Sequence, residues 1–146
     1  HFKPSEGRYQ RSLKALCQAA TRNNPRNPRI EYHVKKDETR TEQEFEAKCR
    51  AELPDWIVEG VRVEFVIWSC RISGQDFHAR YLMTNHGGIR FEQGLDERRN
   101  ANTDTDVSLL DDGLYQRRKT DFTHGHPDCA FTKLHSFEIV GRRNVM

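Results

Sequence analysis

Apolar residues fall into periodic stretches along the 146-residue chain, and the period changes from one stretch to the next. Between Ser5 and Thr21, the residues Tyr9, Leu13, Leu16, Cys17 and Ala20 recur at helical spacing, which predicts an amphipathic helix. The run Asn23-Asn24-Pro25-Arg26-Asn27-Pro28 breaks it, because proline lacks the N–H that a helix interior needs. Ile30, Tyr32 and Val34 then alternate with polar residues, the pattern of a half-buried strand. Thr41 and Glu44 have the spacing of a capping box. The helix expected behind them carries Phe45, Cys49, Leu53, Trp56 and Ile57, with Pro54 either kinking it or opening a last turn. From Val61 to Trp68 the pattern is a strand. Val61, Val63, Phe65 and Ile67 lie on one face and Val66 and Trp68 on the other, so a central place in a sheet is expected.

The second half of the chain is more polar. Residues 77–92 read as a hairpin: a strand from Phe77, a tight turn near Asn85 to Gly88, and a return strand from Ile89. Residues 97–107 form a polar stretch expected to be a mobile loop. A short helix is expected within Val107 to Lys119, and an irregular segment from Phe122 to Asp128. Phe131 to Val140 offers a final strand, in which Phe137 and Ile139 alternate with Ser136, Glu138 and Val140. The order helix, strand, helix, strand, hairpin, short helix, strand predicts an α/β fold with a mixed sheet. The length suits one domain able to bury a core. There is no internal repeat.

Composition narrows the function classes. Charged residues make up 32% of the chain and the hydrophobic set 35%. No apolar run approaches the roughly 18 residues of a membrane span, and no secretory signal is visible, so a cytoplasmic location is expected. The formal net charge of +2 gives no strong global field toward nucleic acid. Arginine is nevertheless clustered at Arg22, Arg26 and Arg29, at Arg98 and Arg99, at Arg117 and Arg118, and at Arg142 and Arg143. Local basic patches can recruit phosphate without a large net charge. Cys17, Cys49, Cys70 and Cys129 are scattered and form no CxxC pair, which suits buried thiols in a reducing compartment. The chain opens on His1-Phe2-Lys3-Pro4 with no initiator Met, so it is expected to be a piece of a longer protein.

The candidate chemistry centres on the hairpin. His78 and Arg80, two apart in a strand, point to one face and set an imidazole beside a fixed cation, an arrangement suited to gripping phosphate. Asn85 follows five positions after Arg80. A second group, His124, His126 and Cys129 with His135 nearby, has residue types that zinc takes. Its His-x-His-x-x-Cys spacing is not that of a structural zinc site, and an irregular surface loop accounts for it better. His86-Gly87 beside Asn85 lacks the downstream spacing of a histidine–metal nuclease finger.

The string His78-x-Arg80-x-x-x-x-Asn85 resembles the His-x-Lys-x-x-x-x-Asp signature of the phospholipase D superfamily, with both outer positions replaced by analogues. The continuation through Gly87-Gly88 to Gly94-Leu95-Asp96 resembles that family's second half-motif. More narrowly, Phe77-His78-x-Arg80 followed by Gly-Leu-Asp is similar to the degenerate phospholipase D-like domain found C-terminal to MIT domains and to its bacterial relatives. The match covers residues 77 to 96. It implies a phospholipase D-like α/β sandwich over residues 1–146, with His78 as the nucleophile on phosphorus, Arg80 as the phosphate clamp in place of lysine, and Asn85 in place of the aspartate. Nearby residues are expected to share the site in ligand-binding roles: Arg90 on the return strand as a second cation, Glu92 and Asp96 on either side of Gly94 either orienting His78 or capping backbone groups, and His135 as a second histidine. No metal and no cofactor is implied. The chain has one motif where the full enzymes have two, so a complete two-motif site needs a dimer mate or an upstream half. Two functions follow as expectations: a module that recognises phosphate or phosphodiester (nucleic acid or an acidic lipid headgroup) within a nucleic-acid-related protein, or an active metal-independent phosphodiesterase or nuclease using His78.

Overall fold

A computed structural model describes residues 2–23, 28–70, 80–91 and 106–143 of the chain. These residues form a mixed α/β fold with three helices and two three-stranded sheets, one of them mixed. The chain divides into two compact units, residues 1–68 with 134–146, and residues 69–133.

In the first unit, α1 (Gly7–Asn23) presents Leu13 and Cys17 to the core, one turn apart, as its spacing predicts. Gln10 is buried on the same helix, and its amide donates to the Pro4 carbonyl at 2.8 Å, which satisfies a polar group inside the core. Strand β1 (Arg29–Lys35) pairs in parallel with β2 (Arg62–Cys70), with Ile30 opposite Val63 and Tyr32 opposite Phe65. The sheet order is β1-β2-β6, where β6 is Phe131–Val140, so β2 is central. Burial follows from that place. Val63, Phe65 and Ile67 are buried on one face of β2 and Val66 and Trp68 on the other.

Helix α2 (Glu42–Glu52) connects the two parallel strands, as such a crossover requires. The capping box anticipated at its start is formed: the Thr41 hydroxyl accepts from the Glu44 N–H, and the Glu44 carboxylate accepts from the Thr41 N–H at 2.8 Å. The helix stops at Glu52, earlier than its apolar pattern runs. Pro54 opens a separate turn in which the Trp56 and Ile57 N–H groups both reach the Leu53 carbonyl. Leu53 and Ile57 are still buried, so the apolar positions reach the core from turns and not from the helix. Phe2, Tyr32, Phe45, Phe65 and Phe137 form one aromatic cluster with centroids 4.9–6.4 Å apart.

The second unit is built on the predicted hairpin. β3 (Arg80–Thr84) and β4 (Gly87–Phe91) are antiparallel and joined by the two-residue turn Asn85-His86, so Gly87 and Gly88 belong to the return strand and not to the turn. A third strand, β5 (Val107–Leu109), adds to β4 with Ile89 opposite Leu109. It falls where the loop expected over 97–107 meets the stretch Val107 to Lys119 expected to include a short helix. Three residues are too few to carry a period, and the strand exists because β4 offers a free ladder. The short helix is α3 (Asp112–Asp121), N-capped by the Asp111 carboxylate accepting from the Leu114 N–H at 2.8 Å. The Tyr115 hydroxyl donates to the Thr84 carbonyl at 2.7 Å and ties this helix to the hairpin turn. The segment 122–128 is irregular, as anticipated, and the irregularity continues to residue 130.

Candidate functional site

The hairpin register fixes where the candidate cations stand. Arg80 lies opposite Phe91, and Arg90 lies opposite Tyr81 and Ser108. Directly opposed residues share a face, and neighbours along a strand alternate. Arg80, Leu82, Ile89, Phe91, Val107 and Leu109 therefore occupy one face of the sheet. Tyr81, Met83, Gly88, Arg90 and Ser108 occupy the other. The two arginines expected to act together are on opposite faces of the hairpin. The second face is the one that meets α3, since the Arg118 guanidinium sits 5.7 Å from the Tyr81 ring centroid. Arg80 is exposed, whereas Arg90 is half-buried. Asn85 is exposed in the turn. His78, Glu92 and Asp96 lie outside the described residues.

His135 belongs to the first unit and sits on β6. Its Nε2 lies 2.6 Å from Glu46 Oε2 on α2, and its ring is 5.9 Å from that of Phe137. Glu46 also takes Arg50, whose Nε donates to Oε1 at 2.8 Å. The hydrogen bond from His135, with Arg50 alongside, holds the Glu46 carboxyl below the usual carboxylate range. His135 is thus one member of a charged cluster whose partner, 89 positions earlier, leaves no trace in local sequence.

Sequence reasoning missed a second histidine cluster. The Trp68 indole Nε1–H donates to His33 Nδ1 at 2.8 Å, and His33 Nε2 faces Glu31 Oε2 at 3.2 Å. An indole N–H can only donate, so Nδ1 accepts and the neutral ring carries its proton on Nε2, toward Glu31. Parallel pairing sets Lys35 opposite Trp68, and this register brings His33 within reach of the indole. The spacing of His33 from Trp68 in sequence gave no cue.

Several exposed arginines of the first unit are matched by acids. Arg29 meets Glu31 and Glu64, Arg62 meets Glu138, Arg142 meets Asp55, and Arg143 meets Glu59. Such exposed pairs contribute little stability, but they cancel the local field that a phosphate backbone would need. A small cavity of about 20 Å³ between β1 and the start of α2 is lined by Lys36, Arg40, Thr41 and Glu42. It has room for about one water molecule. Its cations are occupied as well, Lys36 by Glu42 and Arg40 by Asp37.

Among the described residues, three thiols are buried and free: Cys17, Cys49 and Cys129. Burial pushes Cys17 up to about 11 and Cys49 up to about 12, so neither supplies a thiolate nucleophile at neutral pH. Native protein should therefore show no iodoacetamide labelling of Cys17 or Cys49 at pH 8 over a time in which urea-unfolded protein is fully labelled. Peptide mass mapping reads this, and rapid native labelling of either would contradict their burial. The Cys129 sulfur lies 3.1 Å from the Asp121 carbonyl and 3.2 Å from the Phe131 carbonyl, so its S–H is held by backbone. His124 and His126 are exposed in the loop before it, and His126 Nδ1 accepts from the Asp128 N–H at 3.1 Å.

A scan against protein-family models matched none, and searches of curated proteins and of solved structures returned no match.

Proposed function

We propose that this chain is a phospholipase D-like α/β sandwich that recognises phosphate or phosphodiester groups, as a cytoplasmic module of a nucleic-acid-related protein. The observation that supports this reading most is the exposed Arg80 on β3, set by a two-residue turn in a hairpin of fixed register. A guanidinium is the side chain best suited to bidentate contact with phosphate oxygens. Arg80 stands two positions after His78 and five before Asn85, the spacing on which the family resemblance rests. Arg90 is not part of this clamp, because it lies on the opposite face of the hairpin.

Binding is preferred to cleavage on three grounds. Arginine replaces the motif lysine, asparagine replaces the aspartate, and the candidate second histidine, His135, is engaged by Glu46. In a fluorescence-anisotropy titration with a labelled 12-nucleotide single strand, Arg80→Ala should weaken affinity by about 1.5–3 kcal/mol, the scale of a hydrogen bond to a charged group. That is roughly a ten- to hundredfold rise in Kd. An unchanged Kd rejects the clamp.

The retained His78 favours a second reading, metal-independent phosphodiester hydrolysis, with a dimer mate supplying the second imidazole. Cleavage of bis(p-nitrophenyl) phosphate in EDTA, lost in a folded His78→Ala variant, would replace the binding reading. No turnover on that ester or on DNA and RNA oligonucleotides ends the enzymatic one.

A further inference from the structure

Strand β5 closes one edge of the three-stranded sheet, and its surface is unusual for an edge. Leu109 is 85% exposed and Val107 is 55% exposed. Both side chains project from the same face, two positions apart. The segment from Asp106 to Asp112 has no lysine, proline or glycine of the kind that commonly blunts an edge.

The Leu110 N–H donates to the Gly88 carbonyl at 2.9 Å. In an antiparallel ladder, hydrogen-bonded and non-hydrogen-bonded pairs alternate. Ser108, opposite Arg90, therefore turns its N–H and C=O toward β4, as Leu110 does. Val107 and Leu109 turn theirs outward. Among the described residues no strand pairs on that side, so the edge offers two donors and two acceptors beside two exposed apolar side chains.

The charges flanking this edge select its partner. Asp106 precedes β5 and Asp111 and Asp112 follow it, and all three are exposed. None forms an ion pair among the described residues. A second copy pairing antiparallel about Ser108 would bring Asp106 of one chain toward Asp111 and Asp112 of the other, and like charges there repel. A strand with basic ends meets carboxylates at both ends instead.

We propose that β5 is a docking edge that takes an extended segment of another protein as a fourth strand, with alternate apolar residues over Val107 and Leu109 and lysine or arginine at its ends. This is strand addition: backbone hydrogen bonds supply affinity, while the apolar pair and the carboxylates supply selectivity.

The test uses the ¹⁵N-labelled 146-residue chain and a blocked peptide of sequence KKVTVTVKK, with EEVTVTVEE as its charge-reversed control. Saturation with the lysine peptide should slow amide exchange at Val107 and Leu109 at least tenfold, and the glutamate peptide should bind at least tenfold more weakly. Leu109→Pro removes an outward N–H that β4 does not use, so it should keep the melting temperature and raise the peptide Kd at least tenfold. Should that variant fold poorly, Val107→Lys with Leu109→Lys serves the same end by removing the apolar pair and adding repulsion. No saturable binding of the lysine peptide overturns the proposal, as does equal binding of the two peptides or a Kd unmoved by these substitutions. Protection of Val107 and Leu109 that appears with rising protein concentration and no peptide would also overturn it, in favour of self-pairing.

Discussion

Phe65→Ala should destabilise the first unit by about 3–5 kcal/mol, the range measured for aromatic truncation in a closed core. Phe65 is fully buried at the middle of the central strand. Its ring stacks on Phe137 at 5.4 Å and on Tyr32 at 5.4 Å, and also meets Phe2 and Phe45 at 5.5 and 6.3 Å. Truncation removes one partner from each of four aromatic contacts and leaves a void that flanking strands held by ladder bonds cannot close. Against a typical total stability of about 5–15 kcal/mol, such a loss brings the unit close to unfolding. Urea unfolding followed by fluorescence reads the effect, because Trp68 is buried three residues along the same strand. Phe65→Leu, which keeps most of the volume, should lose clearly less. A loss below about 1 kcal/mol for Phe65→Ala would mean that this ring does not organise the core.

Gly141→Ala should cost about 2–4 kcal/mol, combining overpacking with the loss of backbone hydrogen bonds. The cause is space and not conformation, since Gly141 is not among the positive-φ glycines. A Cβ there would overlap the Val58 carbonyl oxygen and sit 2.6 Å from the Ile57 oxygen. Both obstacles are backbone and cannot rotate away. Gly141 N–H donates to the Val61 carbonyl at 3.0 Å, and the Gly141 carbonyl accepts from Gly60 N–H at 3.3 Å. Moving the chain to admit a methyl group breaks these bonds, which fasten the end of β6 to the segment before β2. Gly125 provides the comparison: its φ is 84° with nothing within 4 Å of an added Cβ. Gly125→Ala should cost only the left-handed penalty, about 1–2 kcal/mol. If thermal unfolding shows Gly125→Ala to be the worse of the two, the close-approach explanation is wrong.

Legibility differed between the fold and the site. Helices α1 and α2 and strands β1, β2 and β6 announce themselves through apolar periods, and Thr41 and Glu44 through a spacing that acts within one helical turn, whereas α3 carries almost no apolar period and the hairpin is marked by its turn residues. Strand β5 has no comparable signal, because a three-residue strand is defined by its neighbour. The hairpin is a more instructive case. Arg80 and Arg90 can be read from the sequence as flanking a turn, but which face each takes depends on whether the loop is even or odd in length. A three-residue loop would have put both on one face; the two-residue turn Asn85-His86 separates them.

Local periodicity and capping are written along the chain because they act between residues one or two turns apart, so most elements, their order and most of the apolar core positions could be read from the residues alone. Pairings between distant positions depend on chain closure and register, for which no short-range signal exists. Tertiary structure alone therefore decided that His135 meets Glu46, that Trp68 donates to His33, that Gly141 lies against Val58, and that Val107 and Leu109 turn an open edge outward.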